Sequence, residues 1–288
     1  MADQLSSNSQ MPSRDSALVA PGAAIGSILR KPPIDPLEGR ILLSHALGLS
    51  RVQLVTQSER ELSAEEAQTL SELFQRRLQG EPIAYITGER EFFGLPFHVT
   101  PDVLIPRPET ELLVELALER LPRHGRVLDL GTGSGAIAVV LAATRSDASV
   151  TAIDLSAAAL TIAMRNAERN RANVTFLQGS WYSPLGNEQF DLIVSNPPYI
   201  AAGDRHLSEG DLRFEPASAL TDHADGLSAL RTIVSGAGKH LAPGGWLLME
   251  HGYDQAAAVR DLLAQHGYCA RQSWKDLAGI ERVSGATR

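Results

Sequence analysis

One segment of the chain, VLDLGTGSGAIAVVLA over residues 127–142, constrains the fold more than any other. Its apolar first part is typical of a buried strand and its last part of a helix. The turn between them holds Gly131, Gly133 and Gly135. Glycines at this place allow a tight turn and let a ligand approach the backbone closely. The segment therefore predicts the first strand–turn–helix unit of an α/β domain, with a ligand site at the turn.

Strand and helix patterns alternate from this unit to the end of the chain. The predicted strands cover residues 126–130, 149–153, 174–178, 190–195, 245–250 and 267–274. The predicted helices cover residues 135–144, 156–170, 226–242 and 254–266. Repeated strand–helix–strand units favour a mostly parallel sheet with helices on both faces. In such a sheet, ligands bind at the carboxyl ends of the strands, where the strand order reverses.

An acidic residue, Asp154, ends the second strand of this region. A carboxylate there can accept two hydrogen bonds from ribose hydroxyls, which predicts an adenosine-type ligand. The glycine turn does not determine which ligand binds. One possibility is a dinucleotide, because Gly131-x-Gly133-x-x-Ala136 satisfies the dinucleotide-binding pattern. The spacing Gly131-x-Gly133-x-Gly135 equally resembles the S-adenosylmethionine loop of class I methyltransferases. A tight turn without a ligand is a third interpretation.

A second turn, Asn196-Pro197-Pro198-Tyr199, leaves the carboxyl end of the strand FDLIVS. Two successive prolines fix the backbone and remove two N–H donors, so the nearby carbonyls are free acceptors in a rigid frame. The Asn196 side-chain oxygen adds an acceptor, and Tyr199 adds a flat apolar face. Two acceptors suit a planar –NH2 group, which predicts methylation of an amide or amino nitrogen. The turn does not show whether that nitrogen belongs to a nucleobase or to a glutamine.

Composition excludes several classes of protein. The net charge is −8, and acidic residues outnumber basic ones in residues 1–120, which argues against a general nucleic-acid binder. Cys269 is the single cysteine, so neither an intramolecular disulfide nor a cysteine-rich zinc site is expected. The histidines show no metal-ligand spacing, so no metal is predicted. No apolar run long enough to cross a bilayer and no secretory signal are visible, which favours the cytoplasm.

The part before the α/β pattern divides into three predicted segments. Residues 1–24 are polar and aperiodic and are expected to form a mobile tail. Residues 25–88 predict a helical recognition domain, with a helix start at Asp35-Pro36 and a capping box from Ser63 to Glu66. Residues 89–108 predict a β-hairpin linker, since residues 91–99 alternate around a glycine. The α/β domain then covers residues 109–288.

Taken together, these motifs resemble those of the N5-glutamine methyltransferases that modify peptide chain release factors. The matching pieces are GEPIAYITGEREFFGLPFHVTPDVLIPRPETELLVE, VLDLGTGSGAIAV, SNPPYI, FEPASAL, LAPGGWLLMEHG and DLAGIERV. DNA adenine methyltransferases share only the glycine loop and the NPPY turn. The resemblance implies a class I methyltransferase Rossmann-like sheet, mostly parallel with one antiparallel edge strand. It also implies a small helical N-terminal domain joined by a β-hairpin.

The resemblance also implies roles for individual residues. Those expected to hold S-adenosylmethionine, with S-adenosylhomocysteine as product, are Gly131, Thr132, Gly133, Ser134, Gly135, Asp154, Trp181 and Asn196. Those expected to bind the substrate amide and act in catalysis are Asn196, Pro197, Pro198 and Tyr199. The implied substrate is the glutamine of the Gly-Gly-Gln loop of class-one release factors, in support of translation termination. The expected protein is a monomer without stable nucleic-acid or membrane binding.

Three alternatives remain beside this prediction. An N6-adenine DNA methyltransferase would need a basic recognition domain, which the acidic N-terminal part lacks. A nicotinamide-dependent oxidoreductase would leave the Asn196–Tyr199 turn unexplained. An adaptor with a vestigial site would bind the cofactor without transferring a methyl group.

Several other polar residues receive mainly structural interpretations. Asp129 is expected to brace the glycine turn, and Glu215 to order a flap over the substrate. Glu250 and His251, which end a strand, are expected to be structural. Cys269 is expected to be a core thiol.

Overall fold

The computed structural model describes residues 18–288. The first part of the predicted tail, residues 1–17, lies outside the described residues. The chain divides between Thr87 and Gly88 into two compact units. Across residues 18–288, no helix combines the length and the apolar composition needed to cross a bilayer.

The first unit is helical. Its helices are α1 (Ile25–Arg30), α2 (Pro36–Leu47), α3 (Arg51–Thr56), α4 (Ala64–Leu78) and α5 (Ile83–Thr87). Asp35 accepts hydrogen bonds from the amides of Leu37 and Glu38 at the start of α2, and Ser63 with Glu66 forms the predicted capping box of α4. The core of this unit consists mainly of aliphatic side chains around Leu42, Leu70 and Phe74, which are each fully buried.

Residues 18–24 are not part of a mobile tail. Val19 is only 5% exposed and packs in the core of the helical unit. Its amide donates to the Ser71 hydroxyl over 3.0 Å, and the Gly22 amide donates to the Leu62 carbonyl over 2.9 Å. The tail prediction was wrong here because an irregular segment can be held by backbone hydrogen bonds without showing any sequence period.

A β-hairpin opens the second unit. Its strands are β1 (Glu89–Phe92) and β2 (Leu95–His98). Phe93 and Gly94 between them have φ values of 52° and 76°, the left-handed pair that a two-residue hairpin turn requires. The rings of Phe92 and Phe97 are buried and pack edge to face, with centroids 6.0 Å apart. The predicted hairpin is therefore present, although it starts two residues earlier than the alternating pattern.

The rest of the second unit is a seven-stranded sheet with helices. The strands are β3 (Arg126–Leu130), β4 (Ser149–Asp154), β5 (Val174–Gln178), β6 (Phe190–Ser195), β7 (Leu241–Glu250), β8 (Cys269–Lys275) and β9 (Glu281–Thr287). The helices are α6 (Glu111–Arg120), α7 (Ala136–Thr144), α8 (Ala157–Arg169), α9 (Ala217–Leu220), α10 (Ser228–His240) and α11 (Ala256–Gln265). The strand order is β5-β4-β3-β6-β7-β9-β8.

The predicted fold class is confirmed. All pairings from β5 to β7 are parallel. β9 runs antiparallel to both of its neighbours, β7 and the edge strand β8. The sequence pattern did not predict β9. Cys269, which begins the edge strand β8, is exposed, so its prediction as a core thiol was wrong.

Both faces of the sheet are covered. Val127 in β3 belongs to one apolar core, with side chains of α6, α7 and the hairpin. Its neighbour Leu128 belongs to the other core, with side chains of α10 and α11. Successive side chains of a strand point to opposite faces, so a strand buried on both sides is apolar throughout. The hairpin is held on α8, where the Asn166 side chain bonds both the amide and the carbonyl of His98.

The strand order reverses at β3, which lies between β4 and β6. Leu130 at the end of β3 is paired with Ser195 at the end of β6. The buried Ser195 hydroxyl also donates to the Leu130 carbonyl over 2.7 Å. The glycine turn and the Asn196 turn therefore leave the same edge of the sheet side by side.

Two leucines of α4 offer a matched test of the helical core. We expect Leu70→Ala to lower the free energy of unfolding of the helical unit by about 2–5 kcal/mol, because Leu70 is fully buried and its truncation leaves a cavity. Leu78→Ala, at a position 56% exposed, should cost less than about 1 kcal/mol. Hydrogen exchange of the amides of α4, followed by mass spectrometry, measures both. Equal protection in the two variants would contradict this account of the core.

Candidate functional site

A cavity of about 270 Å³ lies at the carboxyl edge of the sheet, within the second unit. Its walls come from the glycine turn, the end of β4, the loop after β5, the Asn196 turn and two segments on either side of them. The lining residues that the sequence had singled out are Gly131, Thr132, Gly133, Ser134, Asp154, Trp181, Asn196 and Pro198. Gly135 and Pro197 do not line this cavity.

Glycine is needed at the three positions of this turn for different structural reasons. All have positive φ, with values of 70° at Gly131, 55° at Gly133 and 82° at Gly135. A Cβ on Gly133 would meet no atom within 4 Å, so the backbone there borders open space. A Cβ on Gly135 would lie 3.1 Å from the Cβ of Ala163 in α8, so that glycine permits close helix packing. Gly135 therefore shapes the site without facing it.

Asp129 is bonded to the glycine turn from within β3. Its side chain is fully buried, and Oδ2 accepts a hydrogen bond from the Thr132 hydroxyl over 2.6 Å. Its Oδ1 has no hydrogen-bond partner within the described chain. Burial raises the pKa of the Asp129 carboxyl to about 7, and the Thr132 bond opposes this shift only in part. The predicted bracing role agrees with these contacts.

Asp154 ties the turn to the end of β4. Its Oδ2 accepts from the Gly133 amide over 2.8 Å, and its Oδ1 accepts from the Ser156 amide over 2.9 Å. Each carboxylate oxygen has a further lone pair, so the group can still accept hydrogen bonds from a ligand. Leu155 beside it lines the cavity and is 70% exposed, which adds an apolar surface to this wall.

Trp181 forms another apolar wall. It has a φ of 50°, and its indole lies next to Gly131, where a Cβ would be 3.6 Å from Cζ3 of the ring. Ser134 is buried and its carbonyl accepts from the Asn166 side chain over 2.8 Å. The turn is thus contacted by Trp181 at Gly131 and by Asn166 at Ser134.

The Asn196–Tyr199 turn contributes residues to two cavities. Asn196 Nδ2 donates to the Thr110 hydroxyl over 3.1 Å, which leaves Oδ1 as the acceptor of the amide. No donor in the described part of the chain reaches that oxygen. Asn196 and Pro198 line the cavity described above, whereas Tyr199 lines a second cavity of about 580 Å³. Pro197 is buried and lines neither cavity.

Tyr199 is anchored at both ends. Its hydroxyl donates to Glu250 Oε1 over 3.1 Å, and its carbonyl accepts from the Gln255 side chain over 3.0 Å. Burial and the neighbouring Glu250 raise the pKa of the Tyr199 hydroxyl above its usual value, so it keeps its proton. Sequence reasoning missed Thr110 and Glu250 as parts of this site. The sequence could have indicated Glu250, since it is an acidic residue at the end of β7, on the same edge of the sheet as the two turns.

Arg107 lies between the two cavities and lines both. It forms an ion pair with Glu215, whose side chain is fully buried and whose Oε2 also accepts from the Ile105 amide over 3.0 Å. Burial raises the pKa of the Glu215 carboxyl, and the Arg107 guanidinium opposes this shift. This pair connects the segment before α6 to the segment before α9. The role predicted for Glu215, ordering a flap over the substrate, stays a prediction.

Comparison with known proteins identifies the family. A model of the methyltransferase small domain matches residues 108–218, and a model of the PrmC N-terminal domain matches residues 25–88. The release factor glutamine methyltransferase of Burkholderia pseudomallei (strain K96243) is 56% identical over 272 residues, which cover 91% of this chain and 95% of that protein. The chain belongs to the release factor glutamine methyltransferase family. Membership in this family favours the glutamine over the DNA adenine that the sequence had left as an alternative.

Solved structures agree with the methyltransferase fold. A methyltransferase from Pyrococcus furiosus superposes with a TM-score of 0.53 at 23% identity and covers 75% of this chain and 98% of its own, which supports the fold alone. The T. thermophilus 16S rRNA N2 G1207 methyltransferase, solved with AdoMet and guanosine, has a TM-score of 0.53 at 25% identity. That match covers 69% of this chain and 49% of the other.

The buried Asp129 predicts a specific pH dependence of stability. Because its pKa is raised to about 7 in the folded state, the folded protein holds a proton that the unfolded chain releases near pH 4. This contribution is fully present at low pH and is lost as pH rises to about 7. We expect the free energy of unfolding of Asp129→Asn to fall less between pH 5 and pH 8 than that of the wild type.

Denaturant unfolding followed by tryptophan fluorescence is the appropriate measurement, because Trp181, Trp246 and Trp274 all lie in the second unit. Asp261→Asn, at an exposed position of α11, is the matched control and should follow the wild type. Parallel pH curves for wild type and Asp129→Asn would show that Asp129 does not carry this proton.

Proposed function

We propose that this protein transfers a methyl group from S-adenosylmethionine to the side-chain amide nitrogen of a glutamine. The substrate is the glutamine of the Gly-Gly-Gln loop of class-one peptide chain release factors, and the modification supports translation termination. The observation that carries the proposal is the placement of the Asn196 turn beside the glycine turn, at the ends of the paired strands β6 and β3.

The cavity fits the cofactor, which supplies an electrophilic methyl group. The open space above Gly133 leaves room for a ligand against the backbone, and the Asp154 carboxylate can accept from ribose hydroxyls. Trp181 and Leu155 provide apolar surfaces for an adenine ring. We assign Gly131 to Gly135, with Asp154, Trp181 and Asn196, to cofactor binding on this basis, with Gly135 acting through helix packing.

The Asn196 turn positions the amide. Among residues 18–288 no donor bonds Asn196 Oδ1, and the two prolines add no N–H groups that would compete for the nearby carbonyls. Two such acceptors bind both N–H bonds of a glutamine amide and hold its nitrogen in one orientation. As that nitrogen forms a bond to the methyl carbon, its lone pair leaves conjugation and its N–H bonds become more acidic. Acceptors bind those bonds more strongly at that stage, which lowers the barrier.

Tyr199 contributes as a neutral residue. Its raised pKa keeps the hydroxyl protonated, so it does not act as a base. We propose that its ring provides a flat apolar wall for the aliphatic part of the glutamine. The proton leaves after the nitrogen has acquired positive charge, so no strong base is needed before attack.

The partner is proposed to be a protein, bound mainly by protein–protein contacts. The helical unit has exposed Val52 and Val55 on α3 and would contact the body of the release factor, while the glutamine loop reaches the second unit. The net charge of −8 gives no attraction to a phosphate backbone, so stable nucleic-acid binding is not part of the proposal. We further propose a monomer that acts in the cytoplasm, where translation factors are found.

The decisive experiment is mass spectrometry of a purified, unmethylated class-one release factor after incubation with the protein and S-adenosylmethionine. We expect a mass gain of one methyl group on the glutamine of the Gly-Gly-Gln loop. Asn196→Ala should lower the rate by about 100-fold or more, because it removes an acceptor that acts mainly in the transition state.

A release factor with the loop glutamine replaced by alanine is the substrate control and should gain no methyl group. A methyl group on another residue, or none while S-adenosylmethionine binds, would reject this substrate. Adenine-containing DNA would then be tested as the acceptor.

Trp181 provides a separate test of the cofactor site. Stacking of an aromatic side chain on a base is worth about 1–3 kcal/mol, so Trp181→Ala should raise the Kd for S-adenosylmethionine at least about fivefold. Isothermal titration calorimetry measures this constant directly. Trp274→Ala in β8, outside the cavity, is the matched control and should leave Kd within about twofold. An unchanged Kd in Trp181→Ala would remove Trp181 from the cofactor site.

A further inference from the structure

The carboxyl group of Glu250 is an unusual feature of the site. It ends β7 and is 1% exposed, and its Oε1 accepts from the Tyr199 hydroxyl over 3.1 Å. Its Oε2 has no hydrogen-bond partner among the described residues, although buried carboxylate oxygens are normally satisfied. Glu250 also lines the second cavity, on the Tyr199 side of the turn.

The same carboxyl group is connected to the other end of the turn. Thr110, which is 4% exposed, accepts a hydrogen bond from Asn196 Nδ2 over 3.1 Å. Thr110 also lowers the pKa of the Glu250 carboxyl, which places its side chain next to that group. Tyr199, the last residue of the turn, therefore bonds Glu250 directly, and Asn196, the first, bonds a threonine that lies next to the same buried group.

This arrangement orients the two side chains that matter for the acceptor. The Asn196 amide has its Oδ1 available only while Nδ2 donates to Thr110. The Tyr199 ring is held by its hydroxyl at one end and by its backbone at the other. Loss of the common anchor would free the amide to rotate and the ring to tilt.

We propose that Glu250 is a positioning residue for methyl transfer, which fixes the acceptor turn by binding Tyr199 directly and Asn196 through Thr110. This inference rests on the proposed function, because it assigns Glu250 to the same reaction.

If Glu250 positions the turn, its ionisation should make kcat depend on pH. Burial raises the pKa of its carboxyl to about 7, while Thr110, Tyr199 and Arg282 lower it and Glu109 raises it. The titratable and charged groups that surround the second cavity with Glu250 are Arg107, Glu109, Tyr199, His206, Glu209, Asp211 and Arg282. A carboxylate accepts a stronger hydrogen bond than a neutral carboxyl group. The turn is therefore held best above about pH 7, and kcat should rise as pH rises through this value.

The test compares Glu250→Gln with the wild type in methylation of the release factor. Glutamine keeps the size of the side chain and cannot ionise. We expect kcat at pH 8 to fall at least tenfold and to lose its dependence on pH near 7. The KM for the release factor and the Kd for S-adenosylmethionine should stay within about threefold, since Glu250 lies outside the cofactor cavity. Tyr199→Phe, which keeps the carboxyl group, should lower kcat in the same direction.

A second measurement, which needs no substrate, follows the hydrogen bonding of Asn196 directly. The side-chain amide resonances of Asn196, observed by NMR in 15N-labelled protein, should titrate with a midpoint near pH 7 in the wild type. They should not titrate in Glu250→Gln. Glu188→Gln, an exposed residue paired with Arg126, is the matched control and should behave as the wild type in both measurements.

The results of these measurements support or overturn the positioning role of Glu250 as follows. A Glu250→Gln protein with wild-type kcat and pH profile, or with an unchanged Asn196 titration, would overturn the positioning role. If the wild type does not methylate the release factor, the proposed function fails, and the Asn196 titration alone then decides whether Glu250 holds the turn. If Glu250→Gln does not fold, Tyr199→Phe and the titration of Asn196 in the wild type give the answer.

Discussion

The pairing of β3 with β6 is the constraint on which the site depends. Leu130 and Ser195 are partners at the ends of these strands, and the Ser195 hydroxyl donates to the Leu130 carbonyl in a buried position. A shift of this pairing by one residue would turn every side chain of one strand to the opposite face of the sheet. Because both faces are packed, the register is fixed by burial. The two functional turns that follow these residues are thereby brought together with a defined separation.

Two buried carboxyl groups support the two turns. Asp129 in β3 binds Thr132 of the glycine turn, and Glu250 at the end of β7 binds Tyr199 of the acceptor turn. Burial raises the pKa of each to about 7, and each has one oxygen without a partner in the described chain. An apolar side chain in either place could pack but could not accept the hydrogen bond that fixes the turn. The site is thus held at a cost in desolvation, as is common for functional positions.

Much of the fold follows from local pattern, with clear exceptions. The strands β3, β5 and β6 begin and end where the sequence predicts. β3 and β6 are mostly buried and largely apolar, and both are bounded by turns. β5 is an edge strand with no buried residue, and its β-branched and aromatic residues favour a strand there. The strand β9 escaped prediction because ERVSGAT mixes charged, polar and small residues with one valine. Its burial comes from pairing with β7 on one side and β8 on the other. Val19 was missed for a related reason, since its contacts lie far along the chain at Ser71.

The sequence by itself determined the glycine turn, the rigid Asn196–Tyr199 turn and the strand that precedes each of them. These are local properties, set by φ freedom at glycine, the fixed φ of proline and the period of apolar residues. Only the tertiary structure decided which distant residues complete the site. Thr110 and Glu250 join the turn from separate elements, because the order of strands brings their backbones to one edge. Strand order depends on long-range packing, which no short segment of sequence contains.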